Sequence, residues 1–209
     1  MKLTLNIPET LKEITLNQYQ QWLKIAEDKE PSLFLQQKMI EIFCGITLNQ
    51  VMQIKALDVD TITEDIAKVF KEKTRLINRF TLNEIEFGFI PKLDDMSFGE
   101  YVDLDNYMSD WQQMHKAMSV LFRPITFKKK NQYLIEDYET AEKHNIKEMT
   151  LDIVFGSMVF FWNLRTELQN HILNYLANQE EVPLPPETKA SLLNGVGTAV
   201  FTPWHQTTF

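Results

Sequence analysis

Residues 150–178 constrain the fold more than any other stretch of the chain. Leu151, Val154, Phe155, Met158, Val159 and Trp162 recur at helical spacing, and Leu168, Ile172 and Tyr175 continue it at three- and four-residue intervals. Phe160 and Phe161 occupy faces that a surface helix keeps polar, so the first half is apolar nearly all round. Such a helix belongs inside a core or a membrane. The apolar run is about 14 residues, short of the roughly 20 that a span needs, and Asp152 and Asn163 border it. The pattern predicts one long buried helix, with Phe155 and Trp162 among its core side chains.

Before it, a five-residue phrase occurs twice, as Ile14-Thr15-Leu16-Asn17-Gln18 and Ile46-Thr47-Leu48-Asn49-Gln50, with a weaker copy at Phe80-Thr81-Leu82-Asn83-Glu84. Thr-x-x-Gln is the pattern of a capping box, so the first two copies mark helix starts rather than a repeat array. Helices are predicted over 16–27, 33–43 (closed by Gly45), 47–56, 61–76 and 106–122, with a short polar one over 137–144. Alternation predicts a strand over 2–7 stopped by Pro8, an antiparallel ribbon over 79–104, and a hairpin pairing 125–127 with 133–135. The expected fold is mainly α: a helical bundle around one long buried helix, with a minor antiparallel β ribbon and an extended C-terminal arm.

Domain organisation follows from a shift in composition after Asn178. Residues 1–178 are expected to form a single domain. Pro183, Pro185 and Pro186 stiffen a linker over 179–193 that holds a short helix. Residues 194–209 form an extended arm too short for its own core. Val200, Phe201, Trp204 and Phe209 are its candidate partner-binding anchors, each worth about 1.5–3 kcal/mol when buried.

The chain carries a net charge of −8 over 209 residues, which argues against general nucleic-acid binding. Eight acidic residues against one basic residue fall between Glu84 and Asp110. Glu84, Glu86, Asp94, Asp95, Glu100 and Asp103 are the candidate acidic surface. Lys128-Lys129-Lys130 suits a solvated turn. Cys44 is the single cysteine, which excludes an intrachain disulfide and a thiolate zinc site and fits a reducing cytoplasm. The start of the chain lacks the apolar stretch of a signal peptide. His115, His144, His171 and His205 never fall at metal-ligating spacing, and no nucleophile elbow or phosphate loop occurs. A non-enzymatic protein without cofactor or metal is expected.

Three segments carry a resemblance: Met96-Ser97-Phe98-Gly99-Glu100-Tyr101-Val102-Asp103-Leu104-Asp105, Met114-His115-Lys116-Ala117-Met118-Ser119-Val120-Leu121-Phe122-Arg123-Pro124-Ile125, and Leu151-Asp152-Ile153-Val154-Phe155-Gly156-Ser157-Met158-Val159-Phe160-Phe161. Over residues 80–165 the chain resembles small virion-associated or assembly proteins of tailed bacteriophages, especially the crAss-like group. The resemblance implies a structural role in the virion, put together in the host cytoplasm: a ring subunit of the head–tail connector or tail stem around the DNA conduit. It also leaves open a tail-assembly chaperone that is absent from the mature particle. Implied partners are copies of the chain itself and portal or tail components, with no sequence-specific nucleic acid and no membrane. The acidic residues would then face the conduit.

Overall fold

The computed structural model of the chain describes residues 5–27, 29–130 and 132–178, with backbone alone at 164, 165 and 167–178. The linker at 179–193 and the arm at 194–209, with Val200, Phe201, Trp204 and Phe209, lie outside the described residues.

Local polar side chains start the helices where the sequence marks them. Thr15 Oγ1 accepts from Gln18 N at 3.2 Å while Gln18 Oε1 accepts from Thr15 N at 2.9 Å, launching α1 (Leu16–Ala26). Ser32 caps α2 (Leu33–Phe43), and the Thr47–Gln50 box opens the single turn α3 (Leu48–Val51). α4 (Ala56–Val69) follows. The third copy of the phrase does something else. Asn83 and Glu84 take positive φ of 48° and 66° and join β1 (Arg79–Leu82) to β2 (Ile85–Phe89). Two successive left-handed residues between paired strands make a two-residue hairpin turn whose twist suits the ladder.

β3 (Phe122–Lys129) and β4 (Gln132–Ile135) complete an antiparallel sheet in the order β1-β2-β3-β4. Register places Phe80 opposite Phe87 and Phe89 opposite Phe122, so one face is phenylalanine-lined. Phe160 and Phe161 of α7 (Leu151–Asn178) pack their rings on Phe89 from that side. On the other face Gly88 leaves room for Tyr133: a Cβ there would sit 2.5 Å from its ring. The Tyr133 hydroxyl donates to the Phe89 carbonyl at 2.8 Å.

The architecture is therefore mixed α/β rather than the expected mainly α bundle. Among the described residues, seven α-helices and a four-stranded antiparallel sheet share one core, which includes Leu16, Tyr19 and Trp22 of α1, Ile40 and Phe43 of α2, Ile66 of α4, Phe122 of β3, and Leu151 and Val154 of α7.

The single long buried helix is also corrected. α7 has the expected length, but among its described side chains full burial is confined to the first two turns, and Val159 and Trp162 are 44% and 55% exposed. Among the described side chains of α7, the sheet covers the Phe160–Phe161 side and leaves Val159 and Trp162 open. α7 packs chiefly on α1 and the 3-10 turn Leu11–Glu13; within the 106–122 segment it meets Trp111, whose ring lies 5.9 Å from that of Phe155. Leu16 N donates to Met149 O and Leu151 N to Ile14 O, so the starts of α1 and α7 are bonded side by side. Gly156 permits a second close approach, since a Cβ there would lie 2.1 Å from the Arg75 carbonyl oxygen.

Four local expectations change as well. The ribbon over 79–104 is a hairpin followed by a helix, α5 (Phe98–Met108). The helix expected over 106–122 is broken at Ser109, where Asp110 caps a 3-10 turn (Trp111–Gln113) before α6 (Met114–Leu121). Residues 137–144 form turns held by ion pairs rather than a helix. Leu5 to Ile7 form no strand.

Candidate functional site

Helix α5 is built with its polarity reversed. Ser97 caps it: Ser97 Oγ accepts from Glu100 N at 3.2 Å, and Glu100 Oε2 accepts from Ser97 N at 2.6 Å. The same carboxylate turns inward, where its Oε1 lies 2.6 Å from Nη2 of Arg123 on β3. Both residues are buried, Glu100 at 5% exposure and Arg123 at 8%. The Arg123 guanidinium also lies over the Tyr138 ring, 5.7 Å from its centre, and the Tyr138 hydroxyl donates to Asp103, one turn along α5. Burial first, and the bond to Asp103 second, hold the Tyr138 hydroxyl well above its ordinary range. Two acidic residues of α5 thus tie it to β3 and to the loop that follows β4.

With Glu100 and Leu104 turned in, apolar side chains face out. Phe98, Tyr101 and Val102 are 81%, 59% and 38% exposed. They stand at i, i+3 and i+4 and so form one continuous patch on the helix surface. Exposed Asp105, four residues beyond Tyr101, borders it. A single exposed apolar residue is ordinary, but a rimmed contiguous patch marks an interaction surface.

The six acidic residues singled out in the sequence do not form one surface. Glu100 is inside the fold, and Asp103 is held by Tyr138. Glu86 pairs with Lys128 at 2.8 Å and stands 4.0 Å from Arg79. Asp95 is 3.7 Å from Lys92, both at the surface. Glu84 at the hairpin turn and Asp94 are exposed. Alternation over 97–104 hid the inward turn of Glu100. Ser97-x-x-Glu100 was the signal for the helix start, whereas the inward turn of Glu100 rests on Arg123 of β3.

Two shallow recesses hold the other clusters of ionisable groups. One, of about 430 Å³, is lined by Glu9, Asp65, Lys68 and Glu72 among others. There Glu72 accepts from Leu11 N and Lys68 pairs with Asp65. The second, of about 250 Å³, is lined by His115, Lys116, Glu142, His144 and Lys147 with Ala141 and Asn145. Lys116 pairs with Glu142 at 2.6 Å and His144 with Glu136 at 2.6 Å. His115 Nδ1 is 3.2 Å from Nε2 of buried Gln20, and burial, then Lys147 and Lys116, lowers its pKa. These charges serve one another and the backbone. Burial pushes the Cys44 thiol up to about 11. Among the described residues no group of three or more His, Cys, Asp or Glu side chains could hold a metal ion, and no helix is long and apolar enough to cross a membrane.

Compared with known proteins, the chain matches no family model, no curated protein and no solved structure.

Proposed function

We propose that this chain is a non-enzymatic structural subunit that assembles with copies of itself into a ring of a tailed-phage particle, in the head–tail connector or tail stem around the DNA conduit. The observation that supports assembly is α5, whose charged Glu100 is spent on an internal ion pair while Phe98, Tyr101 and Val102 face outward. Water-exposed aromatic area of that kind gains most from a protein partner. The ring and the particle rest on the sequence resemblance over 80–165. The conduit face narrows to the exposed acids Glu84 and Asp94, because Glu86, Asp95, Glu100 and Asp103 have partners within the chain. Val200, Phe201, Trp204 and Phe209 supply the arm that reaches a neighbour.

Mass spectrometry of purified particles tests this function. The chain is expected at a fixed copy number in mature virions. Its absence from them, with recovery bound to a tail component in infected cells, would overturn the ring and make the chain an assembly chaperone.

A further inference from the structure

The β3–β4 hairpin presents a second exposed patch, of opposite charge. Phe127 and Leu134 are cross-strand partners and are 56% and 61% exposed. Lys129 and Lys130 at the tip are exposed and make no ion pair among the described residues, whereas Lys128 is taken by Glu86. Lys130 holds a positive φ of 56° at the turn, which keeps the tip tight. The α5 patch is its complement: Phe98, Tyr101 and Val102, with exposed Asp94 in the 3-10 turn (Leu93–Asp95) that leads into α5 and exposed Asp105 four residues beyond Tyr101 on the helix, neither in an ion pair among the described residues.

The two patches cannot meet within one molecule. α5 is clamped to β3 at Arg123, and the hairpin tip begins at Lys129, six strand residues away, a separation of about 20 Å at roughly 3.3 Å per residue. Every copy of the chain carries both. We infer that the lysine-rimmed β3–β4 hairpin of one copy docks on the aspartate-rimmed α5 face of the next, making a head-to-tail contact between identical chains. Phe127 and Leu134 cover Phe98, Tyr101 and Val102, while Lys129 and Lys130 meet Asp94 and Asp105. This rests on the assembly reading above and specifies its contact; with Asp94 engaged and Asp95 paired with Lys92, Glu84 remains for the conduit.

A heterologous contact of this type closes into a ring when its rotation divides a full turn, and otherwise runs on as a filament. Five apolar side chains amount to less than a standard interface of about 800 Å² per partner. One contact alone is therefore weak, and closure, which holds each subunit at two sites, supplies the remaining stability.

Charge exchange in the full-length chain tests the contact. Asp94→Lys/Asp105→Lys and Lys129→Glu/Lys130→Glu each place like charges across it. Sedimentation velocity over a concentration series is expected to show each variant's association midpoint raised about tenfold or more, less so in high salt. All four positions are exposed, so native melting by circular dichroism is expected and confirms folding. Mixed in equal amounts, the two variants regain association with alternating composition, because each contact between unlike variants is again between opposite charges, whether or not the subunit number lets an alternating ring close. Wild-type-like assembly of either variant alone would overturn the contact while leaving assembly itself intact. Failure of the mixture to associate, or a wild-type chain that stays monomeric at all concentrations, would overturn it too. Neither result touches the particle census, so the failure of this contact and the failure of the proposed function are separable.

Discussion

Changing Glu100 to glutamine removes one charge from the buried pair with Arg123 and keeps an oxygen that can accept from Ser97 N. The variant isolates the charge from the cap. Arg123 would remain at 8% exposure with the Tyr138 ring 5.7 Å away as its main compensation. Breaking a buried pair by removing one partner costs about 3–5 kcal/mol, and a cation–ring contact offsets about 1 kcal/mol. We expect a loss of about 3 kcal/mol on these grounds. With a urea slope of about 2 kcal/mol/M, the unfolding midpoint falls by about 1.5 M. Glu100→Ala is expected to cost about 1 kcal/mol more, the worth of the lost cap bond. The double replacement Glu100→Leu/Arg123→Met is expected to recover most of the loss, since an apolar pair of similar volume leaves no charge unpaired. The reasoning is refuted if Glu100→Gln unfolds within about 0.5 kcal/mol of wild type, or if the double variant is as unstable as the single with an unchanged slope.

Other outcomes follow from the packing. Gly156→Ala forces a methyl against the Arg75 carbonyl and is expected to cost about 3 kcal/mol, lowering the thermal midpoint by about 6–12 °C; an unchanged melt would show that the 70–77 segment can move aside. Phe155, half-buried against Tyr19 and Trp111 at ring separations of 5.5 and 5.9 Å, is expected to cost about 2 kcal/mol when cut to alanine. Trp162→Ala, at an exposed position, is expected to stay within about 0.5 kcal/mol in the same denaturation assay. His115 has its pKa lowered in the folded state, chiefly by burial. The unfolded chain therefore takes up the proton first, so the contribution is present above the ordinary histidine value of about 6.5 and is lost as pH falls below it; His115→Asn should flatten that part of a stability–pH curve. Deleting 194–209 is expected to leave a folded chain with near-native melting and weakened assembly, whereas a large fall in melting temperature would make the tail part of its own core.

Much of the local structure was legible because short-range hydrogen bonds decide it. Thr15–Gln18 and Thr47–Gln50 announced two helix starts, and both boxes close as written. The hairpin between 125–127 and 133–135 formed within a longer ladder. Failures occurred where two local rules competed. Phe98, Glu100, Val102 and Leu104 alternate as a strand would, but Ser97 and Glu100 also form a capping box, and the box prevailed because Arg123 rewards an inward glutamate. Tyr107, Trp111, Met114 and Met118 keep helical spacing through Ser109-Asp110, yet the Asp110 carboxylate accepts from Gln112 N at 2.8 Å and diverts the backbone there. The burial of α7 departs from its pattern for a different reason. Periodicity records which side chains are apolar, not how many neighbours surround them. The α5 patch depended on a partner 23 residues away on β3, which no local pattern could supply.

The bonding of α1 to the start of α7 has a consequence for how the chain is made. Asn17 donates to the Glu148 side chain across 131 residues of sequence, and Leu16 and Asn17 find their backbone partners in Met149 and Lys147. At about 5–20 residues per second, a ribosome needs roughly 7–26 s to travel that distance. Throughout that interval Leu11, Ile14 and Leu16 have been synthesised without the helix that shields them. α1 can pack on α2 early, but the seam around Leu11, Ile14 and Leu16 closes only when α7 has emerged, and until then these side chains are open to chaperones.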